Sequence, residues 1–286
     1  MVIILKAVLG IITSFFSFFY IKDLSQNRKT YSNKSWTGLS ITGFVTNFFD
    51  TLGIGSFAVQ TAIFKFFKFV DDRLIPGTMN VGNLIPTVVQ AFIFMTAVDV
   101  DPITIFSISA ATAFGAIMGA GIVSKMPRQK IQLGMGIGLM VVAFIILAGF
   151  LNIMPLGGIA NGLSGWKLVL IISLSFVFGA LQTIGIGFYA PCMAMIYTLG
   201  MHPLTAFPIM MTATAMLMLA GGFRFMKENA YDRKTSIALT IAGTAGVFLA
   251  AYVVKSLPLQ VLKGIVCGVV MYTSIWMFKS AISKEN

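Results

Sequence analysis

Long apolar segments separated by short polar loops follow one another along the chain. Seven of them have about the 20 residues that a membrane-spanning helix needs. They are 2–21, 77–98, 102–124, 131–151, 203–225, 235–254 and 259–279. The segments lack the alternation of apolar and polar residues over about ten positions that is typical of a membrane β-barrel. The pattern therefore predicts an all-α polytopic membrane protein.

Two further apolar segments, 38–69 and 168–199, are too long for one simple crossing. Each has 32 residues, and a straight helix of that length would run about 48 Å, against roughly 30 Å of hydrocarbon. A Gly-Ile-Gly element interrupts each segment near its middle, at Gly53–Gly55 and Gly185–Gly187. Each segment can cross once with an unwound middle, or turn back as a re-entrant helical hairpin.

The distribution of basic residues favours the hairpins. Sixteen of the 20 Lys and Arg residues lie in the loops 22–37, 65–75, 125–130 and 224–234 and in the tail. If both long segments return to the side from which they enter, all sixteen lie on one side, as the positive-inside rule expects for the cytoplasm. We therefore predict a multi-pass protein of the cell membrane with its N-terminus outside and its C-terminus in the cytoplasm. The first hairpin enters from the cytoplasm and the second from outside.

An internal repeat relates the two long segments at a separation of 132 residues. Eight identities occur at this separation without a gap: Thr51/Thr183, Gly53/Gly185, Ile54/Ile186, Gly55/Gly187, Ala58/Ala190, Ala62/Ala194, Pro76/Pro208 and Met79/Met211. We predict an extra N-terminal helix and cytoplasmic loop (1–35), repeat 1 (36–151), an external linker (152–165) and repeat 2 with the tail (166–286). Each repeat has one hairpin and three crossings, and because three is odd the second repeat is inverted.

Composition agrees with a membrane protein: 57% of the residues are apolar and only 10% are charged. Loops between spans account for most of the net charge of +11, and no long basic stretch with interleaved aromatic residues indicates nucleic-acid binding. The two cysteines, Cys192 and Cys267, lie in apolar segments, so a disulfide framework is not implied. No nucleotide-binding sequence occurs, so transport would be driven by a gradient. We expect no enzyme activity and no cofactor.

Inverted repeats with helices broken at matching positions are the sequence pattern that best indicates a transporter binding site. Each break creates a helix N-terminus inside the protein, and free backbone N–H groups with a positive dipole end favour an anion there. We expect Gly53, Gly55, Gly185 and Gly187 to let the backbone approach the substrate. The remaining candidate substrate-binding residues are Thr51, Ser56, Thr183, Asn80, Asn83 and Thr212.

Polar residues inside spans support the same location. In the span 77–98, four of them lie on one helical face: Asn80, Asn83, Thr87 and Gln90. Asp50 is the only acidic residue deep inside a predicted membrane segment. An ionisable residue at that depth is a candidate functional residue. Asp50 can cap the second arm of its hairpin or carry a coupling proton, and its counterpart Gln182 does not titrate. A proton and a sodium ion both stay open as the coupling ion.

These residues resemble the TauE/SafE sulfite exporter family, also called the toluene-sulfonate uptake permease family. The shared features are the glycine elements, shortened here to Gly-Ile-Gly, the helix starts at Pro76 and Pro208, and the loops at Pro127 and Pro258. The resemblance covers 36–280 and implies transport of small sulfur-containing anions such as sulfite, sulfonates and thiosulfate. We therefore predict a secondary transporter or facilitator of such an anion, with membrane lipid as its other partner.

Two alternatives use other residues. A metal-cation carrier could draw soft ligands from the 18 methionines, although methionine in apolar spans is usually core filler. A transmembrane thiol relay would use Cys192 after Pro191, but the equivalent position in the first repeat is Gln60. Neither alternative accounts for the paired glycine breaks.

Overall fold

The computed structural model describes residues 2–28, 31–151, 153, 157–185, 187–253, 271, 272 and 274–282. The helices are α1 (Val2–Gln26), α2 (Trp36–Thr51), α3 (Phe57–Phe67), α4 (Ile75–Gly82), α5 (Leu84–Ala97), α6 (Pro102–Val123), α7 (Arg128–Phe150), α8 (Gly165–Gln182), α9 (Tyr189–Thr198), α10 (Ala206–Lys227) and α11 (Arg233–Val253). A short 3-10 helix (Pro203–Thr205) precedes α10, and residues 271, 272 and 274–282 are also helical. Within these ranges the prediction of an all-α chain is confirmed.

Six helices in the described part of the chain are long and apolar enough to cross a membrane, and the bent pair α4–α5 would make a seventh span. Five of the six, α1, α6, α7, α10 and α11, match predicted simple spans; α8 is the first arm of the second predicted hairpin. The predicted span 259–279 lies mostly outside the described residues. Large apolar side chains on the outer surface, such as Phe15, Phe114 and Ile241, are more than half exposed, as a surface that faces lipid requires.

The structure corrects the predicted span 77–98, which is not one straight helix. It consists of α4 and α5, which meet at Asn83 and are bent by 45°. Pro86 has no backbone N–H, so it cannot bond the carbonyl of Gly82 four residues earlier. The hydroxyl of Thr240 on α11 donates to that carbonyl instead, at 2.9 Å. A proline together with a replacement donor from a neighbouring helix therefore explains the bend.

Each Gly-Ile-Gly element lies between a longer helix and a shorter one, and the far ends of the two helices contact each other. A Cβ added to Gly38, at the start of α2, would lie 2.9 Å from the ring of Phe69, just after α3. Likewise the Nζ of Lys167, at the start of α8, donates to the carbonyl of Leu199, just after α9, at 2.9 Å. In each pair the start of the first helix therefore contacts the residues just after the second.

The charged loops collect at one end of the bundle. The loops 22–37, 65–75, 125–130 and 224–234 contact one another there. Their contacts include Arg128–Asp72 (3.6 Å), Lys125–Glu228 (4.0 Å), Arg233–Asp23 (2.8 Å) and Ser32–Asp232 (3.5 Å). We call this the basic end. At the opposite end Asp101 donates its backbone N–H to Asn161, and His202 donates its backbone N–H to Ala160.

A helix from each half of the chain packs along a helix from the other half. α2 packs along α11, and α8 packs along α6. A Cβ on Gly246 of α11 would lie 2.3 Å from the carbonyl oxygen of Phe44, and a Cβ on Gly115 of α6 would lie 2.0 Å from that of Phe176. Any side chain at these two glycines would overlap backbone, so both close approaches require glycine.

The helix α10 lies between the two halves and is the most buried of the candidate spans. It packs against α4 and α5 of the first half and against α6, and also contacts α1 and α9. Because α10 touches elements from both halves, its polar residues are placed where the two glycine breaks can reach them.

Candidate functional site

The two glycine breaks meet in the interior of the bundle. A Cβ on Gly55 would lie 3.9 Å from the Cβ of Tyr189, and a Cβ on Gly187 would lie 3.8 Å from the Cβ of Phe57. α3 runs from this point to the basic end, and α9 runs from it to the opposite end. The N-termini of two helices therefore face one place from opposite directions.

A small cavity of about 20 Å³ lies between the breaks, with room for about one water molecule. Its lining residues are Asp50, Ile54, Gly55, Ser56, Phe57, Ala58, Val142, Gln182, Gly187, Phe188, Tyr189, Ala190, Thr214 and Met218. Among the described residues, the lining contains one ionisable carboxylate, Asp50, and no Lys, Arg or His. Any attraction for an anion must therefore come from backbone N–H groups, helix dipoles and neutral polar side chains.

The two breaks share the same local turn. The backbone N–H of Gly53 donates to the carbonyl of Asp50 at 2.9 Å, and the N–H of Gly185 donates to that of Gln182 at 2.8 Å. Both glycines have positive φ, 85° for Gly53 and 103° for Gly185, a conformation that other residues rarely adopt. The turn that ends the first arm is thus the same in both halves and explains why glycine occupies both positions.

Asp50 is the centre of a buried hydrogen-bond network that joins the two halves. Its carboxylate accepts from the backbone N–H of Ser56, just before α3, and from the Nε2 of Gln90 on α5 at 3.0 Å. It also accepts from the hydroxyl of Tyr189 on α9, at 3.2 Å, and that hydroxyl lies 3.0 Å from the Oε1 of Gln90. Through Tyr189 this network links the end of α2 to the start of α9.

A second buried network fixes α2, α3 and α4 in the first half. The Nε2 of Gln60 donates to the hydroxyl of Thr46 at 2.7 Å and to the Oδ1 of Asn83 at 2.9 Å. The Nδ2 of Asn83 donates in return to the Oε1 of Gln60 at 2.7 Å, and the Nδ2 of Asn47 donates to the Oδ1 of Asn83 at 2.9 Å. Asn83 is therefore engaged with protein side chains.

The structure brings four of the sequence-predicted residues to the cavity: Asp50, Gly55, Ser56 and Gly187. The other predicted residues do not line it: Gly53, Gly185, Thr51, Thr183, Asn80, Asn83 and Thr212. Two of their hydroxyls bond carbonyls of their own helix region, Thr51 to Asn47 at 2.8 Å and Thr183 to Ala180 at 2.6 Å.

Sequence reasoning did not select Tyr189, Gln182 or Thr214 as site residues, although all three line the cavity. Each had a signal: Tyr189 follows the second glycine element, Gln182 is 132 residues after Asp50, and Thr214 is a polar residue in an apolar span. The Oε1 of Gln182 and the hydroxyl of Thr214 are buried and have no hydrogen-bond partner among the described residues.

The structure also shows where residues of the two alternative functions lie, the thiol relay and the metal-cation carrier. Cys192 is a free, fully buried thiol on α9, whereas Cys267 lies outside the described residues. Within the described ranges no group of three or more His, Cys, Asp and Glu side chains is close enough together to hold a metal ion.

The chain has several apolar helices long enough to span a membrane. A polar site is buried where two helical segments are broken. Together these features define a polytopic membrane protein of the transporter class. The family model described as "Sulfite exporter TauE/SafE" matches residues 2–146 and 168–286, and the chain belongs to this family. The family resemblance found in the sequence is confirmed, and it makes the protein a membrane transporter of a family that carries sulfur-containing anions. Neither the curated proteins nor the solved structures that were compared gave a match.

Proposed function

We propose that the protein is a secondary transporter or facilitator that carries a small sulfur-containing anion, such as sulfite, a sulfonate or thiosulfate. The substrate binds in the cavity between the two glycine breaks. The observation that carries this proposal is that α3 and α9 begin at this one cavity from opposite directions. A helix N-terminus offers unpaired N–H groups and a dipole equivalent to about half a positive charge, and here two of them face each other.

Membrane placement follows from the lengths of the short helices. α3 has 11 residues and α9 has 10, which correspond to about 16 Å and 15 Å. Placed end to end, they extend over about the 30 Å of a hydrocarbon core. The cavity, which lies where both begin, is therefore near the midplane, and both helix pairs are re-entrant hairpins that return to the surface from which they entered.

The exchanged packing supports two inverted repeats. Phe44 and Phe176 are separated by 132 residues, and Gly246 and Gly115 by 131. The close contact of Gly246 with the Phe44 carbonyl is therefore the counterpart of the close contact of Gly115 with the Phe176 carbonyl. A two-fold axis that exchanges the repeats would relate these two contacts, and three crossings per repeat would make that axis lie in the plane of the membrane.

The basic end faces the cytoplasm, in accordance with the positive-inside rule. Four basic loops meet at that end, and the acidic turn at 97–102 lies at the other. This placement puts the N-terminus outside the cell membrane and the C-terminus in the cytoplasm. Both hairpins then present their broken ends to the interior and their loops to opposite sides.

Each site residue has a role in this proposal. Gly55, Gly187 and Ser56 contact the substrate, because they line the cavity. Gly53 and Gly185 form the turns that hold the breaks open, while Thr51, Thr183, Asn80 and Asn83 hold the surrounding helices through their hydrogen bonds, and Thr212 offers a buried hydroxyl without a partner among the described residues. Asp50 lies beside the substrate and caps α3.

Passage of the substrate requires the two hairpin tips to separate. Sulfite has four heavy atoms, and a cavity of about 20 Å³ holds only about one water molecule. The hydrogen bond from Tyr189 to Asp50 crosses from one hairpin to the other, so it must lengthen or break when the cavity opens.

Reconstitution into liposomes tests the proposal. We expect the wild-type protein to move sulfite across the bilayer and Gly187→Val to reduce that flux at least tenfold, because the added methyl groups would fill the cavity. Gly55→Val is less suitable for this test, because it would add backbone strain at φ 88°.

The matched control is Gly121→Val on α6, where a Cβ meets nothing closer than the Arg224 side chain at 3.7 Å. This variant gains the same side chain away from the cavity and should keep wild-type flux. Equal flux through the two variants would contradict the proposed site, and a wild-type protein that moves no sulfur-containing anion would contradict the proposed function.

A further inference from the structure

The two halves differ at the residue that precedes each turn. In the first half this residue is Asp50, whose carboxylate accepts from the backbone N–H of Ser56 and so places a negative charge at the start of α3. The equivalent residue of the second half, 132 positions later, is Gln182, and the equivalent of Ser56 is Phe188. The second half therefore has no carboxylate of its own at this place.

The start of α9 is left without a cap among the described residues. Its N-cap residue is Phe188, whose side chain makes no capping hydrogen bond. Ser56, the equivalent N-cap residue in the first half, has its N–H bonded to Asp50. An uncapped helix N-terminus that faces a cavity is a site with unsatisfied donors.

Two buried side chains independently indicate that a ligand completes this end of the cavity. Gln182 is 1% exposed and Thr214 is 2% exposed, and both line the cavity. The Oε1 of Gln182 and the hydroxyl of Thr214 have no partner among the described residues. Buried polar groups are nearly always hydrogen-bonded, so such atoms require an explanation.

We propose that the substrate anion binds at the start of α9, where it takes the place that the Asp50 carboxylate has at the start of α3. This inference rests on the proposed function and names the side chains that recognise its substrate. One oxygen of the anion accepts from the backbone N–H groups at the beginning of α9. The Gln182 carboxamide and the Thr214 hydroxyl bond its remaining oxygens.

The charge of the site favours a substrate with a single negative charge. The Asp50 carboxylate more than offsets the half positive charge at the start of α3, so the start of α9, with about half a positive charge, compensates little of the charge of a dianion. No cationic side chain of the described residues lines the cavity, so a dianion would lack compensation. The carboxamide of Gln182 offers both a donor and an acceptor, which suits an oxyanion that keeps one O–H group, such as hydrogen sulfite.

A pair of nearly isosteric variants tests the inference with purified protein and sulfite as the probe. Gln182→Asp supplies the second half with the same carboxylate as Asp50, whereas Gln182→Asn shortens the side chain equally without a charge. We expect Gln182→Asp to raise the unfolding temperature without sulfite, since it caps α9. We also expect it to remove the stabilising shift that sulfite produces and to lower sulfite flux at least tenfold.

Gln182→Asn should keep a sulfite-dependent shift and lose less than about threefold in flux. Thr214→Val should weaken sulfite binding several-fold. Thr235→Val, which removes another buried and unpartnered hydroxyl away from the cavity, should leave binding unchanged.

The outcomes separate this inference from the proposed function. If the wild-type protein moves sulfite and Gln182→Asp responds to it as the wild type does, the inference is overturned and the proposed function stands. The same holds if Gln182→Asn is as defective as Gln182→Asp and both lower the unfolding temperature, because Gln182 would then act only in folding. If the wild-type protein neither binds nor moves sulfite, thiosulfate or a sulfonate, the proposed function itself fails.

Discussion

Replacement of Asp50 by Asn tests whether this carboxylate is a helix cap or a carrier of protons. The carboxylate is buried and accepts from three donors, the N–H of Ser56, the Nε2 of Gln90 and the hydroxyl of Tyr189. The oxygen of the Asn side chain can still accept one of these bonds. Its NH₂ group faces the other donors unless the Gln90 carboxamide flips. The substitution therefore replaces charge-assisted hydrogen bonds with weaker neutral ones.

The size of the effect follows from the number of donors. A hydrogen bond to a charged group contributes about 1.5–3 kcal/mol and a neutral one about 0.5–1.5 kcal/mol, so three such bonds lose roughly 3 kcal/mol together. Loss of the negative charge at the start of α3 costs up to about 1 kcal/mol more. We expect Asp50→Asn to lower the free energy of unfolding by about 2–4 kcal/mol. Asp50→Ala should lower it more, because each buried donor left without a partner costs about 1–3 kcal/mol.

Unfolding in detergent, followed by circular dichroism, measures these changes. Asp99→Asn, at an exposed acid of the opposite end, is the control and should stay within about 0.5 kcal/mol of the wild type. Sulfite flux driven by a pH gradient gives the second measurement, and a cap predicts that Asp50→Asn keeps its response to the gradient. Unchanged stability together with loss of the pH-gradient response would refute the cap and identify Asp50 as the proton carrier.

Two further predictions concern the link between the hairpins and the orientation. Tyr189→Phe removes the hydrogen bond to Asp50 and should lower stability by about 1–2 kcal/mol without slowing sulfite exchange, since the helix starts are unchanged; slower exchange at normal stability would contradict this role. In a variant with Cys192 and Cys267 replaced by Ser, a cysteine at the exposed Ala160 should react with an impermeant thiol reagent added outside cells, and one at Lys34 should not; the reverse pattern would overturn the orientation.

The fold could be predicted to the extent that it depends on length and hydropathy. Segment length distinguished simple spans from the overlong segments 38–69 and 168–199, and the glycines predicted where those segments are broken. Segment length and glycine content are local properties of the sequence. The bend between α4 and α5 was missed, although Pro86 was visible. A proline bends a helix sharply only where the freed carbonyl finds another partner, and that partner, Thr240, is 158 residues away from Gly82.

The residues that line the cavity were harder to predict from the sequence than the glycine breaks beside it. The sequence indicates how deep in the membrane a polar residue lies. Which neighbours its side chain faces depends on the rotation of the helix about its axis, and that rotation depends on packing against distant elements. Thr51 and Thr183 lie at the right depth, yet each hydroxyl bonds a nearby carbonyl of its own helix region, as Ser and Thr in apolar helices commonly do. Thr212 was selected from the sequence and Thr214 was not, because only the packing of α10 turns Thr214 into the cavity.

The exchanged packing of the helices limits how the cavity can open. α2 is held against α11, and α8 against α6, by backbone contacts at Gly246 and Gly115 that leave no space for a side chain. Since close-packed contacts of this kind resist gradual deformation, each hairpin should move together with its partner helix from the other half. The Asp50–Tyr189 hydrogen bond joins one such unit to the other, so we expect the opening movement to separate α2 and α11 from α6 and α8 at this bond and to leave both glycine contacts intact.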